Sequence, residues 1–207
     1  MRTRLEIGLY GILTDPLVGY ERLAAIMVAK GLRVIQLRMK DAPRGDVVAA
    51  ALALRAIIPR GTLFVVNDSP EIAREVGADG VHLGQDDPPY AEARRLLGPD
   101  AVIGLSTHNP AQTAAACALG PDYIGVGPVF PTPTKRIPDP PLGLDGMRRM
   151  LDLATVPAVV LGGIDATNIA SVVSAGARSV CAVRCINRAS DPGAEIDRLL
   201  SALPRRG

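Results

Sequence analysis

The sequence has no tryptophan, two phenylalanines and four tyrosines, so aromatic side chains are scarce. Modules that bind single-stranded nucleic acid stack bases on aromatic rings, and a formal net charge of +2 is too small to indicate a basic nucleic-acid surface. No apolar run approaches the about 20 residues that a membrane-spanning helix needs, and residues 1–15 lack the pattern of a secretory signal. We therefore expect a cytoplasmic protein that binds neither nucleic acid nor membrane.

Cysteine and histidine are also scarce, with three and two residues. Cys117, Cys181 and Cys185 lie among apolar residues, which predicts reduced thiols rather than a disulfide framework. Cys181 and Cys185 are four residues apart, but neither His82 nor His108 is close to them in sequence, which disfavours a zinc site.

The chain instead shows a repeated alternation of short apolar runs with longer stretches whose apolar residues recur at helical spacing. The short runs are rich in Val, Ile and Leu with little alternation, as is typical of buried parallel strands. The predicted strands are residues 9–13, 34–37, 63–66, 80–83, 102–105, 123–126, 158–161 and 179–183. The predicted helices are residues 20–30, 46–58, 88–97, 110–119, 145–153, 166–175 and 192–203, with helix ends at Gly31, Gly77, Gly120 and Gly176.

Eight strand–helix units in 207 residues indicate one domain over residues 1–207, an α/β protein with the architecture of a single (β/α)8 TIM barrel. The alternative is an open doubly wound sheet, but the first strand is not followed by the glycine-rich dinucleotide motif. The active site of a TIM barrel lies at the carboxyl ends of its strands. Residues at those ends are therefore the candidate functional residues.

Strand 2 ends in Gln36, Arg38 and Lys40, which period-two alternation places on one side. Two cations and an amide are unusual for a plain barrel core, so we expect an anion site. An Arg38 that pairs with a buried carboxylate, beside a solvated Lys40, is the open alternative.

Strand 3 ends in Asn67 and Asp68, and Asp86 and Asp87 follow strand 4. Magnesium is held in proteins by one or two carboxylates together with substrate phosphates and waters. Asp68 and Asp87 are the predicted ligands, with Asp86 as the competing choice. The alternative for Asp68 is a turn or cap at the helix that starts near Ser69.

The remaining strand ends carry groups that suit a second anion. Ser106 and His108 follow strand 5, and a hydrolytic dyad is disfavoured because no third residue orients them. Thr132, Thr134 and Lys135 lie in the loop 131–141 after strand 6, Gly162 and Gly163 follow strand 7, and Val183 and Arg184 end strand 8. Hydroxyls, lysine and glycine amides suit a phosphate. Two anion sites indicate a reaction between a diphosphate and a monophosphate.

Seven segments together resemble the thiamine phosphate synthase family over nearly the whole chain. They are LYGILTD at 9–15, QLRMKD at 36–41, FVVND at 64–68, GADGVHLGQDD at 77–87, GLSTH at 104–108, DYIGVGPVFPTPTK at 122–135 and GGI at 162–164. The resemblance implies a dissociative reaction, in which diphosphate leaves an aminopyrimidine methylene group and a thiazole nitrogen then attacks the cation.

The resemblance also implies a role for each matched residue. Gln36, Arg38, Lys40, Asn67, Ser106 and Lys135 would hold the pyrimidine diphosphate, and Asp68 and Asp87 would ligate Mg²⁺. Thr132, Thr134, Gly163, Val183 and Arg184 would hold the thiazole phosphate. Arg38, Lys40, Ser106 and Lys135 would carry the catalysis, and a homo-oligomer is compatible with the sequence.

Two positions depart from the family pattern. Ser69 follows Asp68 where the family often has a larger residue, and Arg184 stands where small residues are usual. The competing hypotheses are a thiazole tautomerase of the same superfamily, which would use His108 as acid or base, and a paralogue that binds ligand without turnover.

Overall fold

The computed structural model describes residue 5, residues 7–132 and residues 140–204. Eight parallel strands pair in sequence order. They are β1 Tyr10–Leu13, β2 Val34–Leu37, β3 Leu63–Asn67, β4 Gly80–Leu83, β5 Val102–Thr107, β6 Tyr123–Val126, β7 Ala158–Leu161 and β8 Ser179–Cys181. The helices are α1 Tyr20–Ala29, α2 Arg44–Ile57, α3 Pro70–Glu75, α4 Tyr90–Leu97, α5 Pro110–Leu119, α6 Gly143–Leu153, α7 Ile169–Ser174, α8 Arg184–Asn187 and α9 Pro192–Ala202.

The sheet closes between its first and last strands. A parallel bridge joins Leu9 to Val180, and the Val180 N–H donates to the Gly8 carbonyl at 2.9 Å. The buried Asn187 adds a second link, because its Nδ2 donates to the Ile12 carbonyl at 2.7 Å and its Oδ1 accepts from the Thr14 N–H at 2.9 Å. The predicted (β/α)8 TIM barrel is confirmed.

Apolar side chains fill two separate cores, because strands of a closed barrel bury both faces. The outer core lies between sheet and helices and includes Leu37, Val66 and Met147. The inner core fills the barrel and includes Ile12, Val65 and Val159, together with two tyrosines described below.

Local capping explains several helix limits. Ser69 and Asn109 accept hydrogen bonds from the first turns of α3 and α5, which is the usual role of these residue types. The predicted helix ends at Gly31, Gly77, Gly120 and Gly176 all have positive φ, a conformation that glycine adopts without strain.

Strand 8 is shorter than predicted. It ends at Cys181, and Val183 already has helical angles, so Arg184 begins the short helix α8 rather than closing a strand. The Val183 carbonyl accepts both the backbone N–H and the side-chain amide of Asn187, at 3.0 and 2.8 Å. That tight turn replaces the last two residues of the predicted strand.

Two similar clusters tie neighbouring strands at the amino end of the barrel. Asp79 accepts hydrogen bonds from the Phe64 N–H at 2.8 Å and from Arg55 Nη1 at 2.7 Å. Two strands further on, Asp122 accepts from the Ile103 N–H at 2.9 Å and from Arg94 Nη2 at 2.7 Å. Each cluster links two strands and a helix far from the carboxyl face. Among the described residues, no helix is both long and apolar enough to cross a membrane.

Candidate active site

Two adjoining recesses open at the carboxyl ends of the strands. The larger, of about 1040 Å³, lies over β1 to β5, and the smaller, of about 510 Å³, lies over β6 to β8. Arg38, Ser106 and His108 line both of them. The two recesses are therefore neighbouring parts of one mouth.

Lys40 and Asp68 form an ion pair in the larger recess, with 2.6 Å between Nζ and Oδ2. This hydrogen bond raises the pKa of Lys40 above its ordinary value. The backbone of Asp68 has a φ of 66° and its N–H donates to the His82 carbonyl at 2.8 Å. Asp68 therefore caps no helix, since Ser69 does so, and its carboxylate is turned into the recess.

Asp87 lies beside Asp68. Its Oδ2 accepts the Gly84 N–H at 2.6 Å, and burial together with the neighbouring Asp68 carboxylate raises the pKa of Asp87 to about 6. Two close carboxylates repel each other unless a cation lies between them, so the pair suits a divalent ion. Within the described residues no group of three or more His, Cys, Asp or Glu side chains converges, and a magnesium ion at this pair would need further oxygen ligands from water or phosphate.

The other residues predicted for the pyrimidine diphosphate also line the larger recess. Gln36 is buried in β2, Asn67 is the last residue of β3, and Ser106 belongs to β5. Arg38 follows β2 directly, and its N–H donates to the Leu13 carbonyl at 2.9 Å. Asp86, the competing choice as a metal ligand, lines this recess too. Lys40 pairs with Asp68, however, and the Gly84 N–H donates to Asp87.

A glycine turn forms one wall of the smaller recess. Gly162 and Gly163 have φ of 102° and 64°, and Cβ atoms there would lie 2.4 Å from Pro128 Cα and 2.7 Å from the Pro131 carbonyl oxygen. Side chains are excluded at both positions because the loop after β6 packs against them, and the positive φ values suit glycine.

Thr132, Val183 and Arg184 line this recess as well. The Arg184 side chain is exposed in the first turn of α8. Lys135 and Thr134 lie outside the described residues, as does most of the loop 131–141.

The sequence model described as thiamine monophosphate synthase matches residues 10–186. The chain belongs to the thiamine monophosphate synthase family. A thiamine-phosphate synthase of Gloeobacter violaceus is 44% identical over 206 residues, which are 99% of this chain and 60% of that relative. One from Anaeromyxobacter dehalogenans is 41% identical over 203 residues, 97% of this chain and 89% of that relative. A thiamine phosphate pyrophosphorylase structure from Pyrococcus furiosus is 31% identical, with a TM-score of 0.83 and 95% of each chain covered.

A line of hydrogen bonds that leads to Ser106 through the barrel interior was not identified from the sequence. This line crosses the barrel from Gln36 through Tyr10, Tyr123 and His82 to Ser106, and it is fully buried at its Gln36 end and partly buried at its Ser106 end. Both ring nitrogens of His82 have partners, the Tyr123 hydroxyl at Nδ1 and Ser106 Oγ at Nε2. Gly84 lines the larger recess, and alternate residues of a strand point to the same side. The position of His82, two residues before Gly84, was therefore the signal that His82 faces the barrel interior.

His108 does not pair with Ser106. Its Nδ1 lies 2.7 Å from the Gly127 carbonyl, and because a carbonyl only accepts, Nδ1 carries the proton. Ser106 Oγ instead contacts His82 Nε2, which agrees with the sequence-based rejection of a Ser106–His108 hydrolytic dyad.

Proposed function

We propose that this chain condenses 4-amino-2-methyl-5-(diphosphooxymethyl)pyrimidine with a thiazole phosphate to give thiamine phosphate and diphosphate. The thiazole is 4-methyl-5-(2-phosphoethyl)thiazole or its carboxylate form. The observation that carries the proposal is the group of Lys40, Asp68 and Asp87 in one recess beside the glycine turn of the other. Family membership and two anion-friendly recesses in one mouth support it.

The larger recess is assigned to the pyrimidine diphosphate. Arg38 and Lys40 supply positive charge, and Asn67 and Gln36 supply amide hydrogen bonds. Asp68 and Asp87 would hold Mg²⁺, which supplies a positive charge that stabilises the departing diphosphate. Lys135, from the undescribed part of the loop, is proposed to add a further cation.

The smaller recess is assigned to the thiazole phosphate. The backbone at Gly163 and at Val183–Arg184, with the hydroxyls of Thr132 and Thr134, is proposed to hold the phosphate group. The recess adjoins the larger one at Ser106, so the thiazole nitrogen could approach the pyrimidine methylene carbon.

The reaction as proposed needs charge stabilisation more than proton transfer. The departing diphosphate gains negative charge, so Arg38 and Lys40 interact with it more strongly in the transition state than in the ground state. The thiazole nitrogen already has a lone pair and needs no base to become a nucleophile. The proposed mechanism therefore assigns cations and hydrogen-bond donors, and no general base, to the two recesses.

A discontinuous assay with both substrates and Mg²⁺, followed by chromatographic detection of thiamine phosphate and of diphosphate, tests the proposal. Equal amounts of the two products are expected. Isomerisation of a thiazole carboxylate phosphate without diphosphate release would indicate a tautomerase instead. Substrate binding by calorimetry without any product would indicate a paralogue that lacks turnover.

A further inference from the structure

His82, Gly104 and Tyr123 occupy one row across three adjacent strands. In the strand register His82 pairs with Gly104, and Gly104 pairs with Tyr123. Register partners of parallel strands point to the same side, and here that side is the barrel interior. The central position of the row carries no side chain.

Because Gly104 has no side chain, the rings of His82 and Tyr123 on either side of it can meet. A Cβ atom at Gly104 would lie 2.1 Å from Tyr123 Cζ and 2.6 Å from His82 Nδ1. The rings of His82 and Tyr123 instead stack over the glycine, with centroids 5.5 Å apart and planes at 25°. Two residues from strands that are not neighbours thereby come into hydrogen-bond contact, with 3.0 Å between His82 Nδ1 and the Tyr123 hydroxyl.

The donors and acceptors of this line are arranged in one direction. Gln36 Nε2 can only donate, so the Tyr10 oxygen accepts from it at 2.9 Å. The Tyr10 hydroxyl proton then goes to Tyr123 at 2.8 Å, and the Tyr123 proton goes to His82 Nδ1. The opposite direction would leave the Tyr10 proton without a partner among the described residues. Tyr10 and Tyr123 are only 2% and 1% exposed, where an unsatisfied donor is costly.

The direction fixes the tautomer of His82. With Nδ1 accepting from Tyr123, the proton of the neutral ring is on Nε2, which lies 2.9 Å from Ser106 Oγ. Ser106 therefore accepts from His82, and its own hydroxyl proton is available to donate. Ser106 is half-buried and lines both recesses.

We propose that Tyr10, Tyr123 and His82 are positioning residues that hold the Ser106 hydroxyl as a hydrogen-bond donor to the pyrimidine diphosphate. The acceptor on that substrate is a ring nitrogen or a diphosphate oxygen, since both are electron-rich. This assignment rests on the proposed function for the identity of the substrate. All three side chains line the larger recess themselves, and the proposal is that their effect on the substrate is exerted through Ser106.

The tautomer is tested first, without any substrate, by two-bond ¹H–¹⁵N correlation spectra of protein labelled on histidine. The chain has only two histidines, so a His108→Gln sample assigns the signals of His82. We expect a pyridine-type Nδ1 and a pyrrole-type Nε2, with Tyr123→Phe shifting His82 toward a mixture of tautomers. A proton on Nδ1 in the wild-type protein would overturn the proposed direction of the line.

A double-mutant cycle then tests whether the line acts through Ser106. Tyr123→Phe should raise the KM for the pyrimidine diphosphate about tenfold, as Ser106→Ala does, with the KM for the thiazole phosphate within twofold of wild type. In the Ser106→Ala background, Tyr123→Phe should change neither KM further. Ile7→Ala, which opens the same inner core at a residue that lines neither recess, controls for general loosening and should leave both KM values unchanged.

Additive effects of Tyr123→Phe and Ser106→Ala, with an active wild-type enzyme, would contradict this inference and leave the proposed function intact. An unchanged KM in Tyr123→Phe would contradict it as well. A wild-type protein that forms no thiamine phosphate would contradict the proposed function and the substrate named here, whatever the tautomer of His82.

Discussion

Lys40 Nζ and Asp68 Oδ2 lie 2.6 Å apart across the ends of two adjacent strands. The ammonium group partly offsets the charge of a carboxylate pair, Asp68 and Asp87, that would otherwise be repulsive. A bound magnesium ion would compensate that charge and leave the lysine to face the diphosphate. We therefore expect that neither Lys40 nor the metal can replace the other in turnover.

Asp68→Asn and Asp87→Asn should each lower turnover about 100-fold or more, because a metal contributes several kcal/mol to stabilising a leaving group and about 1.4 kcal/mol is tenfold. Asparagine tolerates the positive φ of Asp68, so the fold should be retained. Steady-state kinetics with and without excess chelator, together with circular dichroism, measure both effects. Asp86→Asn is the matched control, and full activity of the wild type in chelator would exclude a metal-dependent reaction.

Lys40→Gln should lower kcat about tenfold or more as well as altering KM, because its contact to the leaving group strengthens in the transition state. Lys30→Gln, which removes a surface pair between the end of α1 and Asp197 of α9, should leave both constants unchanged. A change in KM alone would mean that Lys40 contributes only to substrate binding.

Arg184→Ser should raise the KM for the thiazole phosphate about tenfold or more, since a charge-assisted hydrogen bond contributes about 1.5–3 kcal/mol. The start of α8 brings Arg184 to the smaller recess, so the KM for the pyrimidine diphosphate should stay the same. Arg198→Ser, on helix α9 beside Glu195, is the control. Unchanged KM values for both substrates would place the Arg184 side chain outside the phosphate contact.

Asp79→Asn should destabilise the protein by about 1–3 kcal/mol, because it weakens a charged acceptor shared by Arg55 and the Phe64 N–H. For a chain of this size that corresponds to a fall in Tm of about 2–4 °C per kcal/mol. The kinetic constants should not change, since the cluster lies at the amino end of the barrel. Asp145→Asn, which removes an exposed pair with Arg148, should shift Tm by less than about 2 °C.

Cys185 should react slowly with iodoacetamide although it lines the smaller recess. Burial, with a smaller effect of Glu195, raises the pKa of its thiol to about 12, so the reactive thiolate is scarce at pH 8. Peptide mass spectrometry over time should give a rate well below that of free cysteine, rising as pH increases toward 10. A rate equal to that of free cysteine would show that the thiol is neither buried nor raised in pKa.

The barrel and the carboxylate pair were predictable because both depend on local signals. Asp68 directly follows β3, Asp87 lies in the loop that follows β4, and parallel strands bring their carboxyl ends together. The turn at Val183 was not predictable from its neighbours, because it depends on Asn187, whose side chain bonds to Ile12, 175 residues earlier in the chain.

The line of hydrogen bonds to Ser106 was missed for a related reason. It requires the register of three strands and the vacant position at Gly104. Strand periodicity assigns His82 to a side of the sheet, but it does not indicate which residue on a distant strand will meet it.

The distance along the chain between bonded partners has a consequence for the order of folding. The contacts of Asp79 and Asp122 span 15 to 28 residues, whereas those of Asn187 with Ile12 and Thr14 span 175 and 173. Closing a long loop costs more chain entropy than closing a short one, and distant contacts form more slowly. Pairs of neighbouring strands should thus assemble early, and the seam between β1 and β8 should be the last part of the barrel to acquire protection from amide hydrogen exchange during refolding.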